Sequence, residues 1–225
     1  DWMLGQGVSV SMYMFHGGTN FWYMNGANTA GGYRPQPTSY DYDAPRGEWG
    51  NCYPKYYAFR EVIQKHLPHG TVLPEVPADN PTTTFATIEL KESAPLQAAF
   101  HQTTESENVL SMEDLGVDFG YIHYQTTINK AGKQKLIIQD LRDYAVILVD
   151  GKQVASLDRR YNQNNVMLDI QKAPATLEIL VENTGRVNYG PDILFNRKGI
   201  TNQVLCGDEK LTGWSITPLP LYKEK

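Results

Sequence analysis

Beyond residue 84 the sequence runs in short alternations of apolar and polar residues, each interrupted by a turn within a few positions. Phe85–Leu90, Tyr121–Ile128, Lys135–Gln139, Ala145–Val149, Val154–Leu157, Val166–Ile170 and Leu177–Val181 all read as strands, because a period of two sends every second side chain to the same face. Asp150-Gly151, set between Ile147-Leu148-Val149 and Gln153-Val154, has the chemistry of a two-residue hairpin turn. Strands at this spacing, with no long helical pattern among them, predict an antiparallel sandwich or jelly roll.

The first third has a different texture. Gly5 and Gly7 end a short helix. Val8 to Phe15 then alternates strictly, with Val8, Val10, Met12 and Met14 on one face and Ser9, Ser11, Tyr13 and Phe15 on the other. This is the pattern of a barrel strand whose apolar face meets surrounding helices and whose small residues point inward; a sandwich strand with one wet face is the alternative. A long Gly- and Pro-studded loop follows from His16 to Asn51. Pro54 suits the first turn of a helix reaching Leu67, with Tyr56, Phe59, Ile63 and Leu67 as one stripe. Pro68, Pro74, Pro77 and Pro81 with three successive threonines make a semi-rigid linker. The expected organisation is therefore a domain over 1–67, a proline-rich linker over 68–84 and a β-sandwich over 85–225. The chain as a whole should be mostly β.

Composition narrows the function. A net charge of −5, with no Lys/Arg cluster, argues against a nucleic-acid partner. No apolar run approaches the roughly 20 residues of a membrane helix, so no membrane partner is expected. His66 and His69 flank a proline at a helix end, a poor geometry for a metal. Gly17-Gly18-Thr19 lacks the lysine of a phosphate loop, and neither a metal nor an organic cofactor is expected. Cys52 and Cys206 fall in different predicted domains, which favours two free thiols over a disulfide. No Asn-x-Ser/Thr acceptor occurs, because Asn80-Pro81-Thr82 is barred by its proline. That leans towards a bacterial product.

Residues 13–59 hold 13 of the 25 aromatic residues. Flat rings with polar edges, next to glycines and prolines, suit a ligand with apolar faces and a hydroxyl rim, such as a sugar. A retaining glycosidase needs two carboxyl groups about 5 Å apart. The first domain offers Asp1, Asp41, Asp43, Glu48 and Glu61. Asp1 and Glu61 are poorly placed, at the chain start and on the last helix. Asp41 and Asp43 share a face in extended chain, yet Asp43 before Ala44-Pro45 reads as a turn residue and Asp41 as a backbone-binding one. Glu48, between Gly47 and Trp49, reads as a loop acid or a ligand contact.

Three words in this region resemble family 35 of the glycoside hydrolases, the β-galactosidases. Tyr13-Met14-Phe15-His16-Gly17-Gly18-Thr19-Asn20-Phe21 is similar to the family's last barrel strand and the loop after it. Pro37-Thr38-Ser39-Tyr40-Asp41-Tyr42-Asp43-Ala44-Pro45 resembles its next signature, and Lys55-Tyr56-Tyr57-Ala58-Phe59-Arg60 its final barrel helix. Leu180-Val181-Glu182-Asn183-Thr184-Gly185-Arg186-Val187-Asn188-Tyr189-Gly190 resembles its first β-domain, where a structural loop gripping the barrel is the expected role. The resemblance implies that 1–67 is the C-terminal end of a (β/α)8 barrel. It also implies that both catalytic glutamates lie upstream of Asp1 and that no catalytic residue is present here. What carries over is substrate contact, at Tyr13 and Tyr42. Arg46-Gly47 and Trp22 depart from the family pattern at the barrel mouth, which leaves the preference beyond galactose open.

The expectation is thus a β-galactosidase fragment, inactive alone, whose partners are a galactoside and the remainder of the barrel. The resemblance implies a periplasmic or secreted protein, or a lysosomal one in a eukaryote. The rival is a non-catalytic carbohydrate-binding sandwich with the aromatic loop as its platform; a purely structural sandwich is a third reading.

Overall fold

The computed structural model describes residues 1–221, and most of its regular structure is β. Two compact units emerge. The first comprises Asp1–Phe21 and Pro37–Lys91, the second Trp22–Gln36 and everything described from Glu92 onward. Residues 22–36, which lie inside the expected first domain by sequence position, thus pack with the second unit.

In chain order the helices are α1 (Trp2–Gly5) and α2 (Pro54–His66). The strands used below are β1 (Gly26–Asn28), β2 (Arg34–Pro35), β3 (Thr104–Ser106), β4 (Tyr121–Ile128) and β5 (Gly132–Ile138). They continue with β6 (Leu141–Arg142), β7 (Tyr144–Val149), β8 (Lys152–Asp158), β9 (Asn165–Ile170), β10 (Ala175–Glu182) and β11 (Arg186–Tyr189). The last four are β12 (Gly199–Ile200), β13 (Val204–Cys206), β14 (Glu209–Lys210) and β15 (Trp214–Leu219).

In the first unit α2 forms where the stripe predicted it. Pro54 occupies the first turn, where its missing N–H costs no hydrogen bond, and Lys65 and His66 lie at the negative end of the helix dipole. Leu67 ends it in extended conformation, with ψ at 153°, as the residue before a proline is driven to do. Two expected strands are not there. Val8–Phe15 joins no ladder, and neither does Phe85–Leu90. Alternation makes a face, but a strand exists only when a neighbour takes up its N–H and C=O groups. Among the described residues, only the ends of Val8–Phe15 bond to other backbone, the Val8 N–H to the Met3 carbonyl at 3.2 Å and the Phe15 carbonyl to the Arg46 N–H at 3.1 Å. The apolar side chains of both segments stay open as a result: Met12 is 54% exposed and Leu90 92%.

The second unit is a β-sandwich. A six-stranded sheet runs in the order β3-β15-β4-β10-β7-β8, and a four-stranded one in the order β14-β13-β5-β9. Both sheets are antiparallel throughout. Alternate residues of both sheets meet in one apolar core, including Ile122, Ile179 and Trp214 from the first and Leu136, Leu168 and Val204 from the second. On β10 the alternation is complete, with Ala175, Leu177, Ile179 and Val181 buried. Polar atoms inside the core are satisfied. The Tyr124 hydroxyl donates to the Leu110 carbonyl at 2.7 Å and accepts from the Ile200 N–H at 2.9 Å. Its ring stands edge-on to Trp214, whose indole N–H donates to the Leu211 carbonyl at 3.1 Å.

The β7–β8 hairpin closes on Asp150-Gly151 with φ of 49° and 74°, a turn positive at both central residues. Replacing Gly151 with alanine should therefore cost about 1–2 kcal/mol, the left-handed penalty for a residue with a Cβ, read as a shift in the urea midpoint at constant m.

A strap made of residues 22–36 lies on the sandwich. β1 pairs in parallel with β11 and antiparallel with β2, so this strap and the Arg186–Tyr189 segment form one small sheet. Tyr33 pins it. The Tyr33 hydroxyl lies 2.8 Å from the Asp143 carboxylate and 2.7 Å from the Gly185 carbonyl, one of which it donates to. Lys198, fully buried, donates to Asp143 at 2.5 Å and to the Gly185 carbonyl at 2.6 Å. Arg159 binds the other Asp143 oxygen at 2.9 Å and stacks 4.3 Å over the Tyr33 ring. Burial pulls the Lys198 ammonium down to a pKa of about 8, with Asp143 holding it against that pull.

Four carboxylates tie the loops of this unit. Burial raises Glu113, Asp140 and Asp158, but stronger partners win: the Lys198 N–H and Arg186 on Glu113, Arg142 and Thr201 on Asp140, and Arg160 on Asp158. Asp114 is lowered first by the Ser111 N–H. All four titrate below their usual range. The unfolded chain then takes up protons first on acidification, so the stability these groups supply is complete above about pH 4.5 and lost below it. His123, lowered by burial, adds a loss as pH falls through its usual range, while Glu182, raised by burial, opposes the trend. The urea midpoint is expected to fall steadily from about pH 6 to pH 3. A midpoint that rises over that interval would contradict the assignment.

Candidate functional site

The expected sugar contacts, Tyr13 and Tyr42, come together in the first unit. Their rings lie 5.6 Å apart, nearly perpendicular, and both remain open, at 75% and 56% exposure. A third tyrosine completes the cluster. Tyr40 places its hydroxyl 3.2 Å from that of Tyr13 and its ring 5.4 Å from that of Tyr42. The bond to Tyr13 pushes the Tyr40 phenol above its ordinary pKa, so the Tyr40 hydroxyl stays protonated near neutrality. Two open rings and a half-buried one, with the Tyr13 and Tyr40 hydroxyls linked, present an apolar wall and a polar edge.

Local chain geometry makes the cluster. Asn20 and Thr38 bond through their backbones at 2.7 Å, and a bridge joins Thr19 to Ser39, bringing the two ends of the long loop side by side. The Tyr40 N–H reaches the Gly18 carbonyl at 3.0 Å. Gly17 is required at this crossing because a Cβ there would stand 1.7 Å from the Tyr40 carbonyl oxygen. Tyr42 and Asp43 then turn with φ of 61° and 48°, the left-handed region that side chains avoid.

The candidate carboxylates are engaged one by one rather than paired. Asp41 accepts from the Tyr53 hydroxyl at 2.8 Å. Asp43 binds the Lys55 ammonium through its side chain and its carbonyl. Glu48 accepts from the Tyr40 N–H at 3.1 Å. Asp1 pairs with His66 at 2.6 Å, and Glu61 with Lys65 one turn along α2. Each has a structural partner, so none stands as a free acid beside a free nucleophile.

His66 is thus bound to Asp1, and no group of three or more His, Cys, Asp or Glu suited to a metal occurs among the described residues. Cys52 and Cys206 are both free thiols. Tyr40 was within reach of sequence reasoning, since it shares a face with Tyr42 two residues on, but nothing in the sequence shows which hydroxyl meets Tyr13.

The family described as "Glycosyl hydrolases family 35" matches residues 1–66, and the one described as "Beta-galactosidase, first all-beta domain" matches residues 109–220. A beta-galactosidase of Xanthomonas manihotis is 41% identical over 98% of this chain, and one of Mus musculus 40% identical over 96%. The human beta-galactosidase is 37% identical over 96%. These matches occupy 37%, 34% and 32% of the respective relatives, so the chain spans about a third of the length of the proteins it matches. Among solved structures, a GH2 beta-galacturonidase from Eisenbergiella tayi overlaps 52% of this chain and 24% of its own, at 19% identity and a TM-score of 0.34, too loose a likeness to bear on the fold. With both family descriptions met in order along the sequence, and similarity to several beta-galactosidases over nearly all of this chain, the chain belongs to family 35 of the glycosyl hydrolases.

Proposed function

We propose that this chain forms one wall of the galactose pocket of a retaining β-galactosidase, together with that enzyme's first β-domain, and that the two catalytic glutamates belong to sequence outside these 225 residues. The observation that carries the proposal is the contact triad of Tyr13, Tyr40 and Tyr42, with Tyr13 and Tyr42 open. Its rings can pack on a pyranose face, and its hydroxyls can bond sugar hydroxyls or orient a carboxylate brought by the rest of the pocket. The partnered state of Asp41, Asp43 and Glu48 supports placing the bond-breaking carboxyls elsewhere. In such an enzyme one glutamate attacks the anomeric carbon and the other protonates the leaving oxygen, then activates water.

In this reading residues 1–67 are the last strand and helix of a (β/α)8 barrel. An apolar groove of about 300 Å³ between Met12, Met14, Phe59 and Ile63 supports it, because one barrel unit cannot bury its own stripe. Val8–Phe15 would gain its ladder from a neighbouring barrel strand.

The test is direct. The protein from the complete reading frame should hydrolyse 4-nitrophenyl β-galactoside and release the β-anomer of galactose first by NMR, while the 225-residue chain shows no turnover. Turnover by the isolated chain, abolished by Asp41→Asn or Asp43→Asn, would overturn the proposal.

A further inference from the structure

Two residues outside the tyrosine triad hold it in shape. The word Tyr40-Asp41-Tyr42 carries two side chains of the triad, and its last residue sits in left-handed backbone with φ at 61°. A conformation of that kind costs about 1–3 kcal/mol and persists only where surrounding contacts fix it. Here the contacts fall on the two residues before Tyr42. Upstream, Glu48 accepts from the Tyr40 N–H at 3.1 Å, sharing that proton with the Gly18 carbonyl. Next to it, the Tyr53 hydroxyl donates to Asp41 at 2.8 Å. The two clamps are themselves fixed together. Tyr53 lies so close over Gly47 that a Cβ there would stand 2.7 Å from the phenol oxygen, and the Tyr53 N–H donates to the Pro45 carbonyl at 3.0 Å. Neither Glu48 nor Tyr53 has a ring contact with the triad, so both act through the backbone and through Asp41.

We infer that Tyr53 and Glu48 are positioning residues for the tyrosine wall, setting the angle of Tyr42 through Asp41 and the Tyr40 backbone, with Glu48 acting as a hydrogen-bond acceptor rather than as a charge. The inference rests on the sugar-wall reading above. It assigns Glu48 no proton transfer and no contact with the sugar. A misaligned contact wall weakens substrate binding, and even a 1 Å misplacement is a large loss on this scale.

The experiment uses the complete β-galactosidase and 4-nitrophenyl β-galactoside, with thermal melting of each variant alongside. Tyr53→Phe removes one oxygen and keeps the ring, and Glu48→Ala removes the acceptor. Each should raise KM about tenfold with a much smaller change in kcat. Glu48→Gln keeps a carbonyl oxygen for the Tyr40 N–H and should recover most of the lost affinity, which a purely structural loss of stability would not predict. A kcat collapse in Glu48→Gln equal to that in Glu48→Ala would overturn the inference and make Glu48 a participant in the chemistry. Unchanged KM in both Tyr53→Phe and Glu48→Ala, with KM raised by Tyr42→Phe, would overturn the inference and leave the sugar wall standing. Unchanged KM in Tyr42→Phe as well would overturn both.

Discussion

Replacing Asp143 with alanine is expected to lower the unfolding free energy of the sandwich by about 3–5 kcal/mol, the usual cost of removing one partner from a buried ion pair. Asp143 is 1% exposed and serves four groups at once: Lys198, Arg159, the Thr184 N–H and the strap residue Tyr33. Its loss leaves two cations facing each other in a site from which water is excluded. Lys198→Met should cost less, because Asp143 then keeps Arg159 and its hydrogen-bond donors. The ranking, with Asp143→Ala worse than Lys198→Met, distinguishes a carboxylate hub from an ordinary pair.

The pH dependence of the deficit carries a further check. In the native protein Lys198 titrates at about 8, held up there by Asp143. Without Asp143 it releases its proton at lower pH, while the unfolded lysine keeps its own to about pH 10.4. Between about pH 6 and 8 the unfolded variant therefore holds a proton that its native state lacks, and its stability rises with pH across that window. The wild type has no such slope from this group until pH passes 8. The gap between the two should narrow from pH 6 to 8, as read by urea unfolding.

Gly17→Ala should be the most damaging single change at the tyrosine wall. The new Cβ would meet three backbone atoms at once, at 1.7 Å from the Tyr40 oxygen, 2.7 Å from the Asp41 oxygen and 2.8 Å from the Tyr40 carbonyl carbon. Backbone cannot rotate away as a side chain can, so the two loop ends must separate. That move carries Tyr40 and Tyr42 off Tyr13 and breaks the 3.2 Å hydroxyl link. In the complete enzyme the expected result is a loss of about 100-fold in kcat/KM, with the sandwich unfolding at its usual denaturant concentration. Gly18→Ala makes a control, since a Cβ there meets only the His16 ring, at 3.4 Å, although its φ of +79° adds local strain. Its effect on kcat/KM should be far smaller.

What the sequence made legible was whatever depends on local pattern. Six of the eight expected strands formed within a few residues of their expected ends, and Asp150-Gly151 turned the chain as its chemistry requires. Pro54 and Pro68 bracketed α2 from both sides. Val8–Phe15 and Phe85–Leu90 had equally good alternation and formed nothing, because a ladder needs a second segment that no single-segment pattern reports. The short strands β6, β12 and β14 escaped because two residues carry no periodicity.

The strap was hidden for another reason. Tyr33 reaches Asp143 across 110 positions, and Lys198 looks like a solvated lysine in sequence although it is wholly buried. At the candidate site, Tyr13 and Tyr42 were named through resemblance and Glu48 as a loop acid or ligand contact, whereas the contacts made by Tyr40, Tyr53 and Glu48 needed distances. Hydroxyl-to-hydroxyl contacts across a 27-residue loop leave no trace in spacing.

Whether these phenols touch the sugar is tested with the least disturbance by Tyr42→Phe in the complete enzyme. The ring, its edge-on contact with Tyr13 and the turn at Asp43 all remain, so only the hydroxyl is lost. Measured with 4-nitrophenyl β-galactoside and with galactose as competitive inhibitor, KM and the inhibition constant should both rise about tenfold, the scale of a hydroxyl left unpaired in a sugar pocket. Constants for substrate and galactose equal to those of the wild type would contradict the account.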